Sequence, residues 1–143
     1  MIVVLDSNIL FAGLISSRGA SYQILSLVVE GRLTCAATTA LWAEYEEQLS
    51  SARFRSLSPL STEQMDGFLD YLASIVRPVR NDFVWRGILL DEDDAIVVES
   101  AYNARADVLI TFDVHHFQAI RDQVPFQIQR PGEFLNTWKE RLR

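Results

Sequence analysis

At 143 residues the chain has one domain's length, and its 49% apolar and 22% charged composition excludes a disordered tail. A net charge of −6 excludes a protein that coats nucleic acid by bulk charge, but not an enzyme whose site is itself acidic. Lys139 is the single lysine beside twelve arginines, so a P-loop, a Schiff-base enzyme or a receiver domain, each needing a lysine inside the fold, is excluded.

Ile2 to Leu5 form a short apolar run ended by Asp-Ser-Asn, the pattern of a strand buried on both faces. The spacing of Ile24, Leu25, Val28 and Val29 predicts a helix from about Ala20 to Glu30, stopped by Gly31. Leu33 to Ala37 reads as a second strand, and Thr38 or Thr39 caps a helix to about Leu49. Ser50 to Ser61, rich in Ser and Arg and holding Pro59, reads as a loop. Thr62 opens a helix with Met65, Phe68, Leu69 and Leu72 on one side, and Pro78 ends that segment. Val79 to Leu90 carries no clear period beyond a short helix expected near Phe83 to Arg86. Asp93 or Asp94 begins a helix to about Arg105, and Val108 to Thr111 is a third strand. A short helix is expected at His116 to Arg121, a last strand at Phe126 to Gln129, and a C-terminal helix from Pro131-Gly132. Short apolar strands alternating with helices predict an α/β fold, three-layer α/β/α with a short, mainly parallel central sheet, in a single domain over residues 1–143.

The lone Cys35 excludes an internal disulfide framework and a Cys-cluster metal site, and fits a reducing, cytoplasmic setting. No apolar stretch approaches the roughly 20 residues that span a bilayer. Residues 1–15 carry Asp6 and lack a basic start, so a signal peptide is not expected.

The carboxylates fall where such folds keep their chemistry. Asp6 follows the first strand and Asp113 follows Thr111 by two residues, both at carboxyl strand ends. The ordinary role of Asp there is a turn. Asp94 shares a helix face with Val97, Val98 and Ala101, and a carboxylate opening an apolar face is uncommon unless paired or metal-bound. Its ordinary role is to favour the helix dipole, a role that Asp91, Glu92 and Asp93 also fit. Glu44 stands between Leu41 and Tyr45, and helix geometry leaves it open between surface and site. Should Asp6, Glu44, Asp94 and Asp113 converge, two carboxylates about 4 Å apart repel by about 4 kcal/mol at an effective dielectric of about 20. With no lysine at hand, a hard divalent cation such as Mg²⁺ answers that repulsion and suits phosphoryl chemistry.

These residues resemble the PIN-domain ribonucleases, especially the VapC-type and related PIN toxins of toxin–antitoxin pairs. The likeness rests on Val-Val-Leu-Asp-Ser-Asn-Ile-Leu at 3–10, Ala-Glu-Tyr at 43–45, Asp91-Glu-Asp-Asp94 followed by Glu99-Ser-Ala101, and Leu-Ile-Thr-Phe-Asp at 109–113. Each motif is weak alone; four in order over nearly the whole chain are more specific. The resemblance implies an endoribonuclease in which Asp6, Glu44, Asp94 and Asp113 hold Mg²⁺ or Mn²⁺. The third acid stays open between Asp94 and Asp91 or Asp93. Ser7, where the family often has Thr, and Asn8 support the site, and Thr111 orients a carboxylate or water. Hydrolysis in line, leaving 5′-phosphate and 3′-hydroxyl ends, is implied too. So are an RNA substrate, an antitoxin partner and a homodimer, with no membrane.

Arg18, Arg53, Arg55, Arg80 and Arg86 are candidates for phosphate contacts. His115 and His116 are read as surface or packing residues. Trp42, Trp85 and Trp138 are read as core, with one serving a dimer interface or an antitoxin groove. A HAD-type phosphatase wants a second Asp where this chain has Asn8. A housekeeping RNA-processing nuclease or a non-catalytic PIN-like scaffold is the alternative.

Overall fold

A computed structural model describes residues 1–87 and 90–141. The strands are β1 (Ile2–Leu5), β2 (Thr34–Thr38), β3 (Arg77–Val79), β4 (Val108–Ile110) and β5 (Gln127–Gln129). The α-helices are α1 (Ser7–Ile15), α2 (Ala20–Val29), α3 (Thr39–Leu49), α4 (Ala52–Leu57), α5 (Thr62–Ile75), α6 (Glu92–Asn103) and α7 (Pro131–Arg141). A 3-10 segment spans Val114–Gln123.

The strand order is β3-β2-β1-β4-β5, and every neighbouring pair is parallel. The chain builds outward from β1 to β3, then returns to the other side of β1 for β4 and β5. The direction of winding reverses between β1 and β4, and a crevice opens at such a reversal, at the carboxyl ends of the strands. In register, Leu5 pairs Ile110, and the next amide, that of Asp6, donates to the Ile110 carbonyl at 3.0 Å. The backbone thus fixes Asp6 beside the end of β4, the strand that Asp113 follows.

Val3, Val4 and Leu5 are buried on alternating sides of β1, which requires helices on both faces of the sheet. α6 packs on β1, β2 and β4 and against α3, while α1, α2 and α7 pack in succession. The result is the expected three-layer α/β/α sandwich, parallel throughout. Phe117 and Ile120 of the 3-10 segment, which packs on β5, and Phe134 of α7, which packs on α2, are buried in the same core.

Local chemistry sets the ends. α2 closes as the sequence predicts. Gly31 takes φ +76°, its amide donates to Val28 and that of Arg32 to Leu27, which satisfies carbonyls the helix would otherwise leave open. Thr38, rather than Thr39, caps α3 by accepting the Leu41 amide at 3.3 Å. Ser61 and Gln64 form a reciprocal capping box on α5.

The structure departs from or adds to the sequence reading at four places. Residues 7–15, for which the pattern gave no element, form α1; they are apolar almost throughout, so no helical stripe stands out. The loop expected at 50–61 holds α4, six residues capped by Ser51 and too short to show a period. α5 stops at Ile75 with Val76 as its C-cap, just ahead of Pro78 as expected, but Pro78 then sits in a strand the pattern did not show, β3, at the sheet edge, where a missing amide is tolerated. No helix forms at Phe83 to Arg86; Asn103 instead occupies the backbone of Phe83, its side chain accepting from the Phe83 amide at 2.7 Å and donating to the Phe83 carbonyl at 3.0 Å. The unassigned stretch Val79 to Leu90 includes residues 88 and 89, which lie outside the described residues.

Candidate active site

Asp6, Asp91 and Asp113 stand at the N-caps of α1, α6 and the 3-10 segment, where an Asp side chain ordinarily accepts a first-turn amide. None of the three makes a side-chain cap bond. A cleft of about 430 Å³ lies at the switch point, and Asp6, Glu44, Asp91, Asp93, Asp94 and Asp113 all line it. The turn and dipole roles open at the sequence level therefore do not account for this arrangement.

The acids are held by short polar links. Asp6 is 8% exposed and its Oδ2 accepts from Thr111 Oγ1 at 2.7 Å. The same hydroxyl oxygen accepts the Asp113 amide at 3.0 Å. Asn8 Nδ2 donates to Asp113 Oδ2 at 3.2 Å, and the Ser7 side chain hydrogen-bonds Glu44. Thr111 is fully buried, so one hydroxyl fixes both strand-end acids. Asp94 is half-buried with Val97, Val98 and Ala101 buried behind it on α6, while Asp91 and Asp93 are exposed.

The electrostatics are strained. Burial pushes Asp6 up to about 6 and the Asp113 and Asp94 charges add to that, against the hydrogen bonds from Thr111 and Ser7. Burial likewise pushes Glu44 up to about 7, helped by Asp93, Asp6 and Glu47. Asp94 is raised by burial, with His116 opposing. For His116 burial acts downward, but the hydrogen bond and charge of Asp94, with Asp113 and Asp91, leave it above its ordinary value.

Two buried side-chain oxygens in this cleft, Glu44 Oε2 and Asn8 Oδ1, have no hydrogen-bond partner. Orphaned acceptors beside carboxylates that resist ionisation are the donor set that a hard cation completes. Asp113, His115 and His116 also bring one ligand atom each within 4.8 Å of one another. Both histidines are exposed and the orphaned oxygens are not, so the oxygen set is the better match to a hard ion.

The structure adds one residue to the sequence-level site and singles out one of its candidate arginines. His116, read as surface or packing, lines the cleft and pairs with Asp94 at 3.2 Å. Its amide donates to the Asp113 carbonyl, a turn that brings the ring back over the acids. Among the candidate arginines, Arg53 lines the cleft, carried there by α4, with its guanidinium 5.0 Å from the centre of the Phe11 ring. Arg55 lines a separate cavity, and Arg80 pairs with Asp82 at 3.4 Å. Arg18 and Arg86 are exposed and are not among the cleft residues. Trp42, Trp85 and Trp138 pack against the core as expected.

A family model described as a PIN domain matches residues 2–115. No curated protein matches the chain by sequence. The fold is similar to the crystal structure of VapBC2 from Rickettsia felis bound to a DNA fragment from their promoter, with TM-score 0.57 and 18% identity over 91% of this chain and 98% of that one. It is similar also to the structure of FitAB bound to IR36 DNA fragment, with TM-score 0.55 and 16% identity over 90% of this chain and 94% of that one.

Proposed function

Because this chain belongs to the PIN domain family, we propose that it is a divalent-metal-dependent endoribonuclease, hydrolysing RNA phosphodiesters as the toxin of a toxin–antitoxin pair. The observation that carries the nuclease reading is the cleft itself, where Glu44 Oε2 and Asn8 Oδ1 lack partners among six acids. The toxin reading rests on the motif resemblance and on the fold shared with the VapBC2 and FitAB structures. An antitoxin partner, a homodimer and a cytoplasmic setting belong to the same proposal. Among the described residues no helix is long and apolar enough to cross a membrane.

Asp6, Glu44, Asp94 and Asp113 would hold Mg²⁺ or Mn²⁺, with Asp94 the third acid because it is the half-buried one. The bound ion supplies an activated water and offsets charge on the phosphate oxygens. The chain does the positioning. Thr111 fixes the Asp6 carboxylate, Asn8 fixes Asp113, and Ser7 fixes Glu44. His116 holds Asp94, and Asp91 adds charge at the rim. Arg53 offers the one guanidinium on the wall of the cleft among the described residues. Glu44, raised to about 7, is partly protonated near neutral pH in the ion-free cleft, and Asp6, raised to about 6, takes up its proton just below that, so cation binding releases protons and strengthens as pH rises through those values.

The test is incubation of labelled single-stranded RNA with Mg²⁺, with Mn²⁺ and with EDTA, beside the Asp6→Asn variant. Metal-dependent cleavage absent from the variant is expected. No cleavage under any metal by folded protein would favour the scaffold reading. Cleavage without growth arrest on expression would favour a processing nuclease.

A further inference from the structure

A second cavity of about 610 Å³ adjoins the acidic cleft, and Ala12 and Phe112 line both. Phe112 is 37% exposed and forms the ridge between them. Whereas the cleft is walled by acids, the cavity is walled by Arg121 and Arg130 and by the starts of two helices, α2 at Gly19 to Ser21 and α7 at Pro131 to Glu133.

Both helix starts leave donors free. Gly19 caps α2 without a side chain, and no acidic residue lies in that first turn. Pro131 opens α7, so the free amides there belong to Gly132 and Glu133. A helix start alone is ordinary, but Ser21 adds an independent sign. It lies in the first turn of α2, is 3% exposed, lines the cavity, and its hydroxyl has no hydrogen-bond partner. A buried hydroxyl left unpaired beside free amides is a donor in want of an acceptor. Arg121 is anchored by donating to the Ile128 carbonyl, and Arg130 makes no ion pair among the described residues. The Glu133 carboxylate is the one acid on the wall.

We propose that this cavity is a phosphate subsite, taking a backbone phosphate of the RNA whose scissile phosphate lies in the acidic cleft, with the strand crossing the Phe112 ridge. The assignment rests on the nuclease reading above. It explains how a chain of charge −6 grips a polyanion: the positive contacts are concentrated next to the acids rather than spread over the surface.

The test is binding rather than cleavage. Fluorescence anisotropy of labelled single-stranded RNA is measured in EDTA, across a salt series, for the wild type, Arg130→Gln and Gly19→Asp. Open space surrounds a side chain added at Gly19, and its extended backbone suits an Asp N-cap, so that variant keeps the fold while placing its own carboxylate on the α2 amides. Each variant is expected to lose about tenfold in affinity. Arg130→Gln is also expected to lower the log–log salt slope by about one. Unchanged affinity and slope in both variants overturn the subsite. Inorganic phosphate that shifts the Gly19, Ser21 and Gly132 amide resonances while RNA affinity stays unchanged in both variants assigns the cavity to free phosphate and overturns it too. Variant-dependent RNA binding without any metal-dependent cleavage would uphold the subsite and remove the nuclease reading.

Discussion

Glu44 and Tyr45 are neighbours on α3, and they end in opposite circumstances. Tyr45 is fully buried and its hydroxyl donates to the Leu5 carbonyl. Nearby, Thr38 and Ser100 join their hydroxyls at 2.7 Å in the same core. There each buried polar group has its partner. One residue away, Glu44 turns into the cleft with Oε2 unpaired and its pKa driven up to about 7 by burial. In this core the polar groups complete their hydrogen bonds among themselves, whereas in the cleft Glu44 Oε2 and Asn8 Oδ1 are left open for a ligand to complete. Unfinished hydrogen bonding, more than the count of acids, marks the functional edge.

The sharpest way to break that contrast is to neutralise the acids. Asp6→Asn and Asp94→Asn are each expected to cut metal-dependent RNA cleavage by about a hundredfold or more, with far-ultraviolet circular dichroism unchanged. A folded Asp94→Asn enzyme of full activity would move the third acid to Asp91 or Asp93. The next effect is smaller. Thr111→Val keeps the shape but frees both strand-end acids, and an activity loss of about ten- to a hundredfold is expected. A loss confined to the metal concentration for half-maximal rate would show that Thr111 serves ion affinity alone.

Strain at the cleft also makes a stability prediction. Asp6 and Glu44 keep protons in the folded chain at pH values where the unfolded chain has released them, because their folded values are raised to about 6 and about 7. Stability without metal is therefore fullest below the ordinary carboxylate range and falls as pH rises through those values. Asp6→Asn is expected to stabilise the metal-free protein by about 1–2 kcal/mol at pH 8 and to give little or nothing at pH 4. Added Mg²⁺ should raise the melting temperature of the wild type at pH 8 and not that of the variant. Urea melts at both pH values check this; a destabilised variant at pH 8 would mean that the Asp6 carboxylate is not strained.

How much of this was legible in sequence follows from the range of each contact. Asp6 and Asp113 could be placed because a short apolar run and the acid after it are local signals. Asp94 could be placed because Val97, Val98 and Ala101 share its helix face. Glu44 could not be decided from geometry, since what separates surface from cleft is α6 packing on α3, not the period of α3. Arg53 depended on α4, six residues with no readable stripe. His116 depended on a 3-10 turn that folds it back over Asp94. The second cavity joins α2 to α7 from opposite ends of the chain, so no local pattern announces it.

The smallest prediction tests the completed side of the contrast. Thr38 Oγ1 bonds Ser100 and also accepts the Leu41 amide, so it serves core and cap at once. Ser100→Ala leaves the Thr38 hydroxyl without its 2.7 Å partner and is expected to cost about 1–2 kcal/mol. Thr38→Val alone leaves the Ser100 hydroxyl only the 3.4 Å bond from the residue 38 amide and also removes the α3 cap, so it should cost somewhat more. The pair together should cost less than the sum of the two, because no buried hydroxyl is left alone. Cleavage should be unchanged throughout, since neither side chain lines the cleft. Additive losses would show that the two hydroxyls are solvated independently. A loss of cleavage without a loss of stability would show instead that the core behind α6 sets the position of Asp94.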